Sequence, residues 1–405
     1  MPSRPEAAGF SAARLQQLDR FLQTRYIDAG KLPCAMTFIQ RRGEVAHFSA
    51  LGFKDVERRQ RLEEDTLFRI YSMTKPITSI AFMMLVEDGS VALDDPVEQH
   101  IPQWRDLGVY DGGFIGTFKT HRTAQPMRIV DLLRHTSGLT YGFQQRTNLD
   151  AAYRNQRLDE IGGPGTLDQM IEALGRLPLE FSPGTVWNYS VATDVLGYLI
   201  GKLSGEPFEQ FLQRRILNPL RMHDTGFSVP ATQAPRLAAC YTAAPGGGMK
   251  LQDDPPTSPF LRTPNLVSGG AGLISTLADY RRFCQMLLNG GTLDGERIIG
   301  RKTLQLMTSN HLPGNKELPD LSVALFSEAA YAGVGFGLGF AVTLNTARTL
   351  LPGSAGDFFW GGMASTFFWV DPREDMIVIF MTQLMPSSTY PLRRQLRTMI
   401  YSAFT

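Results

Sequence analysis

The residues best placed to do chemistry are Ser72 and Lys75, in the stretch Tyr71-Ser72-Met73-Thr74-Lys75-Pro76. An extended run, Thr66-Leu67-Phe68-Arg69-Ile70, gives way here to an apolar run from Ile77 to Val86 that reads as a helix. Residues three apart share a helix face, so this spacing sets the two side chains next to each other. The first turn of a helix also carries unpaired N–H groups and positive partial charge. A serine there has a basic neighbour to take its proton and backbone donors to hold an oxyanion, the equipment of a nucleophile. The spacing is equally consistent with Ser72 as a simple N-cap and Lys75 in solvent. With 22 serines and 8 lysines in 405 residues, chance alone supplies about 0.4 such pairs, so the rest of the chain must decide.

Several chemistries are excluded. No Gly-x-Ser-x-Gly occurs, so there is no nucleophile elbow of the α/β-hydrolase type. No His-Glu-x-x-His or Cys-x-x-Cys occurs and none of the six histidines is followed by Glu, so no metal is expected. The glycines of Val267 to Ser275 lack the Gly-Lys-Ser/Thr of a phosphate loop and read as a turn or strand at a cleft. A serine hydrolase without histidine needs another base. His135 ends a short helix closed by Ser137-Gly138, and His47 lies in a strand; both read as structural. A lysine serves as base when burial or a neighbouring cation lowers its pKa, and a tyrosinate when cations stabilise it. Tyr189 follows the turn Phe181-Ser182-Pro183-Gly184 and stands just before a helix from Ala192 to Leu203. A loop tyrosine is most simply a half-buried packing residue, but this place also suits presentation into a cleft. Together Ser72, Lys75 and Tyr189 can make a proton relay.

The elements that must position these residues fall into a pattern. Phe10 to Tyr26 is an amphipathic helix, with Leu15, Leu18, Phe21 and Leu22 on one face. Cys34 to Ile39 and Val45 to Ala50 read as strands joined by an Arg42-Gly43 turn. Residues 98 to 126 read as irregular, and the stretches 105–125, 140–165 and 240–265 as loops that shape the pocket. Helices are expected at Leu167 to Leu177, residues 207 to 217, Thr276 to Leu288 and about Leu392 to Tyr401. Gly333 to Thr343, Asp357 to Trp360, Ser365 to Val370 and Met376 to Thr382 read as adjacent antiparallel strands. Strands at both ends and helices between them predict an α+β fold: a mainly antiparallel sheet, flanked by N- and C-terminal helices, with an inserted helical domain. The expected division is residues 1–70 with 266–405 as a discontinuous sheet domain, and 71–265 as a mostly helical domain carrying the nucleophile at the junction.

Composition sets the class. Hydrophobic residues make up 43% and charged residues 20%, as in a water-soluble globular protein. Net charge is +1 with no basic block, so nucleic acid is not an expected partner. The longest apolar runs fall short of a membrane span, and Met1-Pro2-Ser3-Arg4-Pro5-Glu6 lacks the apolar core of a signal peptide. Cys34, Cys240 and Cys284 are odd in number and far apart, against a disulfide framework. The expected setting is cytoplasmic, and the oligomeric state stays open.

Ser72-x-x-Lys75, Tyr189-Ser190-Val191 and Trp360-Gly361-Gly362, in that order, resemble the three motifs of serine β-lactamases and penicillin-binding proteins. The resemblance is nearest to the family VIII carboxylesterases, which have a class C β-lactamase fold. It extends along most of the chain, including Leu132 to Leu139 and Tyr189 to Gly197. The resemblance implies that Ser72 is acylated, that Lys75 helps to deprotonate it, and that Tyr189 shuttles a proton to the leaving group and later activates water. It implies an oxyanion hole from the backbone N–H groups of Ser72 and Met363, and a substrate wall of Val191, Trp360, Gly361 and Gly362. No cofactor is implied. β-Lactamases of this fold usually have Asn where Val191 stands and Lys-Thr-Gly where Trp360-Gly361-Gly362 stands. The losses point to an uncharged, aromatic-lined site for a small neutral ester of short acyl chain. An acyltransferase, β-lactamase or D-Ala peptidase on the same residues, or a non-enzymatic penicillin-recognising module, are the alternatives.

Overall fold

The pairing that organises the fold joins the two ends of the chain. In the computed structural model, which describes residues 3–323 and 331–405, Met1 and Pro2 of the N-terminal stretch lie outside the described residues. Strand Cys34–Arg41 pairs antiparallel with Met376–Met381, Met36 opposite Met381 and Arg41 opposite Met376. On its other edge it pairs with Glu44–Asp55 through a two-residue turn, in which Arg42 (φ 52°) and Gly43 (φ 77°) both take left-handed values. Such a turn matches the twist of the strands that it joins. Among the described residues the sheet has eight strands, in the order Val334–Phe336, Ala341–Thr343, Phe358–Gly361, Phe367–Asp371, Met376–Met381, Cys34–Arg41, Glu44–Asp55 and Gln60–Arg61. Every neighbouring pair is antiparallel. The fold is α+β, an antiparallel sheet with many helices, as expected.

Both faces of the central strands are covered, which is why they read as nearly continuous apolar runs. Ala35, Ile39, Trp369, Val378 and Phe380 pack against Leu15, Leu18 and Leu22 of helix Ala12–Leu22 and Leu392, Leu396 and Ile400 of helix Leu392–Tyr401. Met36, Phe38, Phe368, Ile377 and Ile379 face the other way, into the larger core that holds helices Thr74–Glu87, Ala192–Ser204 and Leu277–Leu288. Helix Thr74–Glu87 is buried at every position from Thr74 to Leu85. A helix apolar all round belongs in the middle of a structure. Among the described residues no helix is long and apolar enough to cross a membrane.

The C-terminal helix is tied to the sheet by a buried ion pair. Arg397 places Nη1 2.6 Å and Nη2 3.2 Å from the carboxylate oxygens of Asp357, and its guanidinium lies 5.0 Å from the Trp369 ring centroid. Removing one member of such a pair strands a buried charge. Arg397→Met should therefore lower the unfolding free energy by about 3–5 kcal/mol, read from urea unfolding. A loss below about 1 kcal/mol would show that Asp357 finds other compensation in Thr343 Oγ1, 2.7 Å away.

Several stretches read as loops or irregular differ from expectation: 140–165 holds helix Asn148–Asn155, and 240–265 holds the paired strands Cys240–Ala243 and Met249–Asp253. Residues 98 to 126 are not irregular: Val109–Phe114 and Thr117–His121 form a hairpin, with a register shift between Tyr110 and Gly113. Gly112 (φ 117°) and Gly113 (φ 98°) occupy the bulge, and the second strand is almost wholly exposed. A bulged, solvated strand shows no apolar alternation to read.

Candidate active site

Ser72 lies in a 3-10 turn, Tyr71–Met73, immediately ahead of the α-helix that begins at Thr74. Tyr71 has φ 43°, a left-handed value costing a bulky residue about 1–3 kcal/mol. Its burial, with the ring edge-on to Phe260 at 6.4 Å, holds it there. Strand Phe68–Arg69, which leads into the turn, pairs with Ile274–Ser275 and so carries the glycine-rich segment alongside the nucleophile. Behind the turn, Tyr280 Oη donates to the Met73 carbonyl at 2.9 Å.

Lys75 is 2% exposed and sits against Ser72 as the spacing predicts, Nζ to Oγ 3.2 Å. It also donates to the Gly270 carbonyl at 2.8 Å and to Tyr141 Oη at 3.0 Å. The Gly270 carbonyl is aimed by Asp194, whose carboxylate accepts from the Gly270 N–H at 3.0 Å and from Ser268 Oγ. Burial raises the Asp194 pKa above the ordinary carboxylate value, and the Lys75 charge opposes that rise. A Cβ on Gly270 would lie 2.6 Å from Asp194 Oδ2 and 3.1 Å from Tyr141 Oη. Gly270→Ala should cost about 1–3 kcal/mol of stability through this overpacking. It should also disturb the Lys75 anchor; thermal melts alongside ester turnover test both, and an unchanged melting temperature would refute the packing claim.

Tyr189 is delivered by a loop locked from behind. Asn188 donates to the Leu139 carbonyl at 2.8 Å and to Glu180 at 2.9 Å, and Gln144 Nε2 donates to the Tyr189 carbonyl. The Lys75 ammonium lies 4.5 Å from the centroid of the Tyr189 ring. Trp360 Nε1 points to Tyr189 Oη at 3.4 Å, a long contact. His135 packs behind this tyrosine, rings 4.9 Å apart, with Nδ1 3.3 Å from Ser190 Oγ. Burial first, and then the Lys75 charge, push its pKa well down, so it stays neutral.

The end of strand Phe358–Gly361 closes the site. Gly362 allows the closure: a Cβ there would collide with the carbonyl oxygen of Ile70, two residues before Ser72. Met363 follows in the turn to the next strand, 40% exposed at the rim.

Ser72, Tyr189, Trp360, Gly361, Gly362 and Met363 line one cleft of about 340 Å³. Lys75 is buried at its base. Val191 is a correction: it is fully buried at the start of helix Ala192–Ser204 and does not line the cleft. Of the three stretches expected to shape the pocket, 140–165 supplies Tyr141, Phe143, Asp159 and Ile161; 105–125 and 240–265 supply nothing. Tyr71, Trp187, Ala271, Tyr331, Pro386, Ser387, Ser388 and Arg393 line the remainder. The walls are aromatic as expected, but they are not uncharged, because Asp159 and Arg393 reach the cleft. Tyr141 was missed although its place, just past the glycine that closes a short helix, is one that exposes side chains. Burial pushes its pKa well up, so it remains a phenol.

A family model described as Beta-lactamase matches residues 18–399. An uncharacterized protein of Mycobacterium tuberculosis is 36% identical over 362 residues, covering 89% of this chain and 88% of the relative. Esterase EstB of Burkholderia gladioli is 29% identical over 413 residues, covering 96% and 95%. Among solved structures, EstCE1, described as a hydrolase with promiscuous acyltransferase activity, superposes with a TM-score of 0.80 at 26% identity, covering 96% of this chain and 98% of that one.

Proposed function

The chain belongs to the Beta-lactamase family, and from that membership we propose a carboxylesterase that cleaves short-chain acyl esters through an acyl-enzyme. One observation carries the reading: Lys75 Nζ stands between Ser72 Oγ, at 3.2 Å, and the Tyr189 ring, at 4.5 Å to the centroid. In the proposed reaction Ser72 Oγ attacks the ester carbonyl as its proton passes to the Lys75–Tyr189 pair. The N–H groups of Ser72 and Met363 receive the oxyanion. Tyr189 then protonates the departing alcohol, and a water that gives its proton to Tyr189 hydrolyses the acyl-Ser72.

The substrate class follows from what the strand lacks. Trp360 replaces a lysine, and Gly361 leaves no side chain where a threonine would stand; a Cβ there would collide with Arg393. Of the groups with which the fold's β-lactamases grip a β-lactam, the lysine and threonine of this strand are absent.

The test is turnover of p-nitrophenyl acetate and butyrate, with nitrocefin beside them. Rapid ester hydrolysis and nitrocefin turnover slower by orders of magnitude are expected; the reverse order would overturn the reading. The EstCE1 description also raises acyl transfer as a second reading. Ester products outrunning hydrolysis when an alcohol is added would favour it.

A further inference from the structure

Asp159 is a carboxylate in the cleft that the ester reaction above does not use. Its Oδ2 accepts from the Gly142 N–H at 2.9 Å, and among the described residues it forms no ion pair. The guanidinium groups nearest in sequence are spent elsewhere: Arg157 on Glu160, Arg154 on the Gly142 carbonyl, and Arg146 on Glu180 and Asn188. Burial first, and then the charge of Asp194, raise the Asp159 pKa above the ordinary carboxylate value, against hydrogen bonds from the N–H groups of Gly142, Phe143 and Asp159 itself.

Beside it stands an aromatic wall. The rings of Tyr141 and Phe143 are stacked, centroids 4.8 Å apart and planes at 24°, and Phe143 is 44% exposed. Gly142, whose N–H binds Asp159, sits between these two residues in the chain, so carboxylate and rings are held together. Beyond Tyr141 lies the Tyr189 ring, at 5.3 Å. An aromatic face next to an anion receives an organic cation better than either does alone, because the ring quadrupole and the full charge attract in the same direction. The cleft is polarised as well: Arg393 enters it beside Gly361, whereas Asp159 enters beside Gly142.

We propose that the preferred ester carries an ammonium-type cation, received by Asp159 and the Tyr141–Phe143 wall. This rests on the esterase reading and names its substrate class. Asp159 acts in specificity, away from the reacting carbonyl.

Two matched pairs of substrates test it, each differing by one quaternary nitrogen replaced with carbon. Acetylcholine against 3,3-dimethylbutyl acetate puts the cation on the alcohol. The p-nitrophenyl esters of 4-(trimethylammonio)butyrate and 5,5-dimethylhexanoate put it on the acyl side. In at least one pair the wild type should favour the cation by about 10- to 100-fold in kcat/KM, mainly through KM. Asp159→Asn keeps an oxygen for the Gly142 N–H and should bring that ratio to about one; Asp159→Glu should restore part of it. No preference in either pair, or a preference that survives Asp159→Asn, overturns the proposal and leaves the esterase reading standing if p-nitrophenyl butyrate is still hydrolysed. Failure of the wild type on p-nitrophenyl butyrate, with no fluorophosphonate labelling of Ser72, overturns both.

Discussion

Ser72→Ala is expected to reduce p-nitrophenyl butyrate hydrolysis by on the order of 10⁴-fold or more, to the level left by substrate binding and backbone donors alone. The substitution removes one oxygen from a turn whose geometry is set by its neighbours: Tyr71 at φ 43°, the Tyr280 bond to Met73, and Gly362 against Ile70. The fold should therefore survive, with an unchanged melting temperature. A fluorophosphonate should add its mass to the wild type and not to the variant. Equal hydrolysis by the two proteins would end the case for Ser72 as nucleophile, whatever the resemblance of the motifs.

Tyr189→Phe comes next, with an expected loss of about 10²–10⁴-fold in kcat, the range for removal of a general acid–base. Phe keeps the ring that lies under Lys75 and stacks on Trp187, so packing is preserved and only the hydroxyl goes. Tyr141→Phe is the discriminating control. Its hydroxyl is also within reach of Lys75, at 3.0 Å, but burial holds it as a neutral phenol. It anchors the amine, and its loss should cost about tenfold, the lower end of what one hydrogen bond to a charged group is worth. If Tyr141→Phe proved the more damaging of the two, the proton path would run through Tyr141, and Tyr189 would be a wall of the cleft.

The motif residues were legible because each sits on or beside a strong local signal. Ser72 opens an apolar helix, Tyr189 follows Ser-Pro-Gly, and Trp360-Gly361-Gly362 ends a strand of the sheet. The sheet was legible from its fully buried strands, whose apolar runs have no solvent face to dilute them. Tyr141 and Asp159 were hidden in a polar stretch, and it takes the fold to bring them to the base and wall of one cleft. Val191 shows the opposite error. As the third residue of the Tyr189-Ser190-Val191 motif it was expected to line the site, whereas the helix that begins at Ala192 turns it into the core. The charges of Asp159 and Arg393 went unread for the same reason: motif residues describe the reacting centre, and the rest of a pocket comes from loops with no pattern of their own.

The pairing of Cys34–Arg41 with Met376–Met381 has a consequence for how the protein is made. The N-terminal hairpin leaves the ribosome with one edge unfilled, and its missing neighbour is encoded more than 300 codons later. At about 5–20 residues per second, the roughly 335 residues between Arg41 and Met376 take about 20–70 s to synthesise. Through that interval an apolar strand edge is open to other nascent chains, which makes early synthesis the stage most exposed to aggregation. The same delay holds back the nucleophile, because Gly361 to Met363 also arrive late, and Ser72 has no second wall until they have been made.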